Sequence, residues 1–364
     1  MAVPERTFAY RDAHADEFAR AYFRRAGDCV ISSIGLGTRP GPPTAAVDDE
    51  YQTAVATALN AGSNLIDTGL ADRHQRSQRA VGRALTGEGI DREAVFLSAR
   101  IGPIPFDGVR PANPTDHVRQ VYIEPGLLDW DDLAHGSHAL TPAFIDDQLD
   151  RSLANLGVDR LDAVFLETPE VHLDERPRAA VYEALERAFV ALERRVAAGD
   201  LAGYGVSTWE AFRVDSTHDR FLSLPEVVRR ARAAADLTDA AASQLRYIQV
   251  PFNMQMSGAF TTTAHEGADG AQSALSFAAA AGLDVFVTAP LAGGELASEE
   301  AQPSAVAARV AGETPVQRAL NFARSGPGVA AAVVGSRTPA HVTENVAAGS
   351  YRPLGADTFD ATFS

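Results

Sequence analysis

The chain has 364 residues, of which 46% are hydrophobic and 22% charged. That is apolar material for a sizeable core, and it excludes a disordered chain. Thirty-two basic residues against 48 acidic ones leave a formal charge of −16, which repels a phosphate backbone and excludes general nucleic-acid binding.

The first residues carry charges and no apolar core, so no secretory signal is expected, and residues 1–29 read as an N-terminal extension. Short apolar segments then alternate with helical patterns. A strand is predicted at 30–35, a helix at 51–60, a strand at 64–67, a helix at 78–85 and a strand at 95–99. Residues 103–141, with two proline-containing patches and Trp130, read as an elaborated loop. A helix at 142–155 follows. Thr141 is a candidate N-cap, Pro142 suits the first turn, and Gly157 suits a left-handed C-cap. Phe144, Ile145, Leu149, Leu153 and Leu156 give it one apolar face. Next come a strand at 162–166, a helix at 181–198, and strands at 202–207, 247–250 and 285–289. A helix at 316–324 and a strand at 331–334 complete the pattern, with insertions at 261–271 and 298–312.

Eight strand–helix units in this length predict an α/β chain folded as a (β/α)8 barrel, one domain over residues 1–364. A doubly wound sheet would show a glycine-rich phosphate loop after its first strand. Gly35 and Gly37 stand there, but no third glycine follows at the required spacing. In a barrel, the loops after strands 3, 6 and 7 are expected over the active face. No apolar run approaches the ~20 residues of a membrane span. The lone Cys29 forms no internal disulfide and fits a reducing, cytoplasmic compartment.

Several segments resemble the aldo-keto reductase superfamily in the same order. They are SSIGLGT (32–38), ALNAGSNLIDTG (58–69), RHQRSQRAVGRAL (73–85), DQLDRSLANLGVDRLDAVFL (147–166), YGVSTW (204–209), IQVPFN (248–253) and VVGSRTPAHVTEN (333–345). The resemblance implies an eight-stranded barrel that binds NADP(H) in extended form and reduces carbonyls. It implies a tyrosine as proton donor, a lysine–aspartate pair that lowers the tyrosine's pKa, and a histidine that orients the carbonyl.

The chain departs from that pattern at its centre. The aspartate is present as Asp67. Asp72 stands where the resemblance implies tyrosine, Arg100 where it implies lysine, and Glu167 where it implies histidine. The sequence contains no lysine at all, which excludes a lysine base or Schiff base. All three substitutes are ionisable. Arg100 is expected to pair with Asp67, and one carboxyl among Asp72 and Glu167 is expected to have a raised pKa. An acid beside a carboxylate suits proton transfer without hydride. Asp72 and Glu167 would then serve as acid and base, and Arg100 would bind a substrate oxygen. Two other readings of these residues stand open: an inert ion bridge, and a metal site with His74, which Arg100 would oppose.

The resemblance implies that Ser336 and Arg337 hold an adenosine 2′-phosphate, and that Glu344 and Asn345 lie near the adenine. It places Ser207 and Gln249 at the carboxamide, and Pro290 and Leu291 in the loop after strand 7. The aromatic residue that some members place under the nicotinamide is replaced by Thr288 or Ala289. The same residues also build an ordinary last strand–helix unit, with Thr338 as N-cap, so a retained and a lost cofactor site are both open. His135, His138, Trp130 and Tyr122 lie in the long loop, and Trp209 follows strand 5.

The sequence supports a small-molecule enzyme performing non-redox acid–base chemistry: dehydration, cyclisation or isomerisation. Two alternatives are an NADPH-dependent carbonyl reductase with unusual proton donors, and a silent ligand-binding protein.

Overall fold

The β-branched and alanine-rich segments pair as parallel strands because each is joined to the next by a helical crossover that covers the outer face of the sheet. In the computed structural model, which describes residues 1–268 and 270–363, eight strands close into a barrel in chain order. They are β1 (Ile34–Gly37), β2 (Leu65–Gly69), β3 (Phe96–Ile101), β4 (Ala163–Glu167), β5 (Tyr204–Ser207), β6 (Leu245–Pro251), β7 (Asp284–Thr288) and β8 (Val329–Gly335). The outer ring is α1 (Ala45–Asn60), α2 (Arg76–Leu85), α3 (Pro142–Leu156), α4 (Arg178–Ala198), α5 (Leu224–Asp236), α6 (Ala274–Ala281), α7 (Pro315–Ala323) and α8 (Pro339–Ala347).

The barrel interior is closed by Phe96, Phe165, Tyr247 and Phe286, all buried, with ring centroids 5.7–6.1 Å apart. Gly205 makes room for this layer. A Cβ there would lie 2.5 Å from the Tyr247 carbonyl oxygen and 2.8 Å from the Phe165 ring. Above the aromatic plug the strand register builds a polar layer. Gly37 stands opposite Asp67, Asp67 opposite Ser98, Gly69 opposite Arg100, Glu167 opposite Ser207, and Ser207 opposite Gln249. This layer is at the C-terminal end of the strands, where barrels of this kind carry their sites.

Three expectations need correction. The predicted strand at 30–35 is two strands. Cys29–Ser32 pairs antiparallel with Phe23–Ala26 in a hairpin, and Ile34–Gly37 joins the barrel. Both runs are apolar, so hydropathy does not show the break at Ser33. The N-terminal extension accordingly reaches beyond residue 29. It begins with a helix, Pro4–His14, and is anchored by the Ala2 N–H, which donates to Asp162 Oδ1 at 2.6 Å.

Thr141 does not cap α3. Its side chain makes no cap bond, and its hydroxyl is buried without a partner. Pro142 and the left-handed Gly157 (φ 64°) bound the helix as expected.

The loops over the mouth also differ from expectation. Residues 103–141 fold on their own apolar cluster of Ile104, Val118, Tyr122, Leu128, Leu133 and Phe144, and the insertion after β6 forms a hairpin (His265–Gly267 with Gly270–Gln272). His265 is spent on the outer layer, where its Nε2 lies 3.0 Å from the Phe212 carbonyl oxygen. No described helix is long and apolar enough to cross a membrane.

Candidate active site

Arg100 organises the site. It is the penultimate residue of β3, two residues after Ser98, so both side chains share one face of the strand. Its Nη1 pairs with Asp67 Oδ2, and its Nη2 donates to Asp72 Oδ2 at 2.5 Å. Its Nε lies 3.7 Å from Glu167 Oε2 and has no hydrogen-bond acceptor. Asp67 is wholly buried; Ser98 Oγ donates to its Oδ1 at 2.7 Å and Gln249 Nε2 at 3.4 Å. Arg39, in the loop after β1, donates from Nη1 to Glu167 Oε1 at 3.0 Å and stands 4.0 Å from Asp72 Oδ1.

Burial raises the Asp67 and Glu167 carboxyls above the ordinary carboxylate range, although Arg100 opposes the shift in both and Arg39 in Glu167. Burial works against the Arg100 charge, but Asp67, Asp72 and Glu167 outweigh it and hold the guanidinium charged.

Asp72 is positioned by an uncommon backbone. Arg73, His74 and Gln75 are consecutive left-handed residues, with φ of 48°, 58° and 70°. Such a conformation costs about 1–2 kcal/mol per residue. Their partners offset it. Buried Arg73 donates to the Pro42 and Thr44 carbonyls at 3.0 and 3.1 Å and to Asp48 Oδ1 at 2.6 Å. Gln75 donates to the Phe106 carbonyl at 2.9 Å and accepts from Asn155 at 3.0 Å. Gly69 leaves the space, since a Cβ there would lie 2.8 Å from Asp72 Oδ2.

A cavity of about 710 Å³ opens over this network. Arg39, Asp67, Arg100, Glu167, Thr168 and Trp209 are on its wall. Asp72 does not line it; Asp72 and Glu167 share two guanidiniums, Arg100 and Arg39. Neither the long loop after β3 nor the hairpin after β6 lines the cavity, a correction; the loops after β1, β4, β5 and β7 do. The long loop acts indirectly, through His138, whose Nε2 is 3.2 Å from Thr168 Oγ1. Burial pushes His138 down to about 4 and His172 down to about 3, so both are neutral. Tyr122 is buried in the loop's own cluster and Trp130 is exposed, so neither reaches the cavity.

Of the residues expected at a cofactor, Ser207, Gln249, Pro290 and Leu291 line the cavity, with Gly293 and Gly294 beside them. Ser207 Oγ donates to Gln249 Oε1 at 2.8 Å. The cavity continues along Val333 to Gly335, next to Ser336. Ser336 accepts from Asn345 at 2.6 Å, Arg337 donates to Glu50 at 2.9 Å, and Glu344 is half-buried on α8. Thr338 caps α8, accepting from the His341 N–H at 3.4 Å. Among the described residues no group of three or more His, Cys, Asp or Glu gathers as a metal site.

Arg39, Ser98 and Gly69 were not singled out in the sequence. Two signals were available: Arg39 follows the C-terminal end of a barrel strand, and Ser98 shares the Arg100 face.

The fold and site define an α/β barrel with a charged mouth beside a long groove. The profile of the Aldo/keto reductase family matches residues 33–362, and the chain belongs to that family. Among solved structures, it is similar to a glycerol dehydrogenase from Gluconobacter oxydans, with 17% identity over 95% of each chain and a TM-score of 0.62. It is also similar to an aldo-keto reductase from Klebsiella pneumoniae in complex with NADPH, at 19% identity over 93% of this chain and 92% of that one, TM-score 0.60. A thermostable aldo-keto reductase crystallised with the inhibitor epalrestat gives 19% identity over 93% and 98%, TM-score 0.62. No curated protein sequence matches.

Proposed function

We propose that the protein is an NADP(H)-dependent oxidoreductase of small carbonyl compounds in which Glu167 moves the proton. The observation that carries this reading is Glu167 itself. It is the cavity-wall carboxyl with a raised pKa that is not sealed by its neighbours, because Asp67, also raised, is closed off by Ser98, Arg100 and Gln249. In its protonated form, which the raised pKa makes more accessible, the Glu167 carboxyl beside a fixed guanidinium can donate to a developing alkoxide while the positive charge stabilises it. Asp67 and Asp72 hold that guanidinium in place; they act through Arg100 rather than on the substrate.

The groove residues fit a dinucleotide. Gly293 and Gly294 present backbone without side chains, at φ 72° and 107°, on the cavity wall. Ser336 and Arg337 would hold the 2′-phosphate beyond Gly335, with Glu344 and Asn345 near the adenine. Ser207 and Gln249 would take the carboxamide. When bound, the cofactor supplies the hydride. The family and the NADPH-bound relative support this assignment.

A second reading rests on a different observation. Gln249 is already bonded to Ser207 and Asp67, and Arg337 to Glu50. With those atoms engaged internally, the mouth would perform proton transfer alone: dehydration, cyclisation or isomerisation. Calorimetric titration with NADPH, followed by nucleotide oxidation with a panel of small aldehydes, separates the two. Binding plus oxidation that fails in Glu167→Gln supports the reductase. Absence of binding at millimolar nucleotide overturns it in favour of the second reading.

A further inference from the structure

The cavity mouth holds more negative charge than its buried cation neutralises. Asp67, Asp72 and Glu167 are at most 7% exposed and share Arg100. The other guanidinium on the cluster, Arg39, differs in kind. Its side chain is 71% exposed, and it leans in from the loop after β1 to reach Glu167. Only the Arg39 end of this pair is in solvent, so a cation that packs better on the cavity wall can take its place at the buried Glu167. Neighbouring His138 and His172 are neutral and do not compensate.

Two further observations bear on this exchange. Arg100 Nε, a donor, is buried without an acceptor, and the oxygen that could serve it, Glu167 Oε2, lies 3.7 Å away. Glu167 is hydrogen-bonded to Arg39 instead, so it can close on Arg100 when Arg39 leaves. On the same cavity wall stands Trp209, a large aromatic side chain left 47% exposed. Buried Glu170 pins it by accepting its backbone N–H at 2.6 Å. The indole already takes one guanidinium, Arg213, at 5.9 Å from its centroid. An indole face beside a carboxylate is a cation site.

We propose that the mouth takes an organic cation, a substrate carrying an ammonium or guanidinium group whose charge replaces that of Arg39 at Glu167 and packs on Trp209. Arg39 is then a stand-in that the substrate displaces. An anionic substrate would face the Glu167 carboxylate, and a neutral one would gain no charge interaction from it. The formal charge of −16 adds long-range attraction for cations. This inference rests on reading the cavity as the substrate site, but not on hydride transfer.

Calorimetric titration of the full chain without nucleotide, at fixed low ionic strength, tests it. The probes are benzylamine and benzylguanidine (both cationic at neutral pH), benzyl alcohol and benzoate. At least one cation should bind about tenfold tighter than the alcohol, and whichever cation is preferred identifies the group. Arg39→Ala should tighten cation binding several-fold, and Glu167→Gln should reduce it to the level of the alcohol. Should Glu167→Gln melt early, Trp209→Leu serves in its place and should weaken the cation several-fold. Alcohol or benzoate binding as tightly as both cations, or weaker cation binding in Arg39→Ala, overturns the proposal. Nucleotide takes no part, so failure here leaves the reductase reading intact, and a failed nucleotide titration leaves the cation preference intact.

Discussion

Glu167 and His172 show how burial at single residues turns into pH dependence. The Glu167 carboxyl sits above its ordinary 4.5 because burial penalises the charge. The folded protein therefore binds this proton more readily than the unfolded chain does. The resulting stability is present below pH 4.5 and is lost as pH rises through the folded value. Glu167→Gln removes the penalty, so the variant's melting temperature should gain on the parent as pH rises from 4.5 to 8. A constant difference between the two melts over that range would refute the shift. His172 has the opposite sign. Both its ring nitrogens are buried without partners, and burial holds it at about 3 against an ordinary 6.5. Stability is present above pH 6.5 and is lost as pH falls toward 3, by up to about 1.4 kcal/mol per unit. His172→Phe leaves no hydrogen bond unmade. It should be nearly neutral at pH 7.5 and more stable than the parent at pH 5, as read by urea denaturation at each pH.

Two threonines that look alike in sequence separate at the level of the helix. Each precedes a proline that opens a helix, α3 for Thr141 and α8 for Thr338. Thr338 accepts from the His341 N–H, whereas Thr141 caps nothing and buries its hydroxyl unpaired. Thr338→Ala should cost about 1 kcal/mol. Thr141→Val should be neutral or stabilising, since an isosteric methyl replaces an unpaired hydroxyl. Equal losses in the two variants, measured by chemical denaturation, would contradict the assignment. The contrast marks where the sequence is readable. Helix existence, the C-cap at Gly157 and the strand ends that carry Asp67, Arg100 and Glu167 follow from period, glycine and resemblance. The conformation of Arg73, His74 and Gln75 does not. Left-handed backbone is ordinarily marked by glycine or asparagine, and here distant partners such as Asp48, Phe106 and Asn155 impose it. For that reason the seating of Asp72 on Arg100, off the cavity wall, is invisible in the chain, as is the approach of Arg39. The break at Ser33 is hidden for a simpler reason: apolar strands of two different sheets abut there.

For the whole molecule, the excess of acidic over basic residues opposes compactness. Like charges brought together by folding repel, and the repulsion grows with the square of the net charge, here −16. Salt acts in two directions. It screens this repulsion, and it weakens ion pairs such as Arg6–Asp91 and Arg229–Glu226, whose arginines are more than half exposed. Exposed pairs contribute about 0–1 kcal/mol each, while the net repulsion is shared by every carboxylate. The buried network of Arg100 is screened much less. The melting temperature should therefore rise by a few degrees between low salt and about 1 M sodium chloride at pH 7.5. Chloride is the right anion, because sulfate strengthens apolar burial by exclusion. The control is internal. Near pH 5.0, the isoelectric point set by composition, the net charge vanishes, and the same salt step should leave the melt unchanged or lower it. If the melt falls with salt at pH 7.5 as well, local ion pairs outweigh net repulsion, and the acidity of the surface cannot be what limits stability.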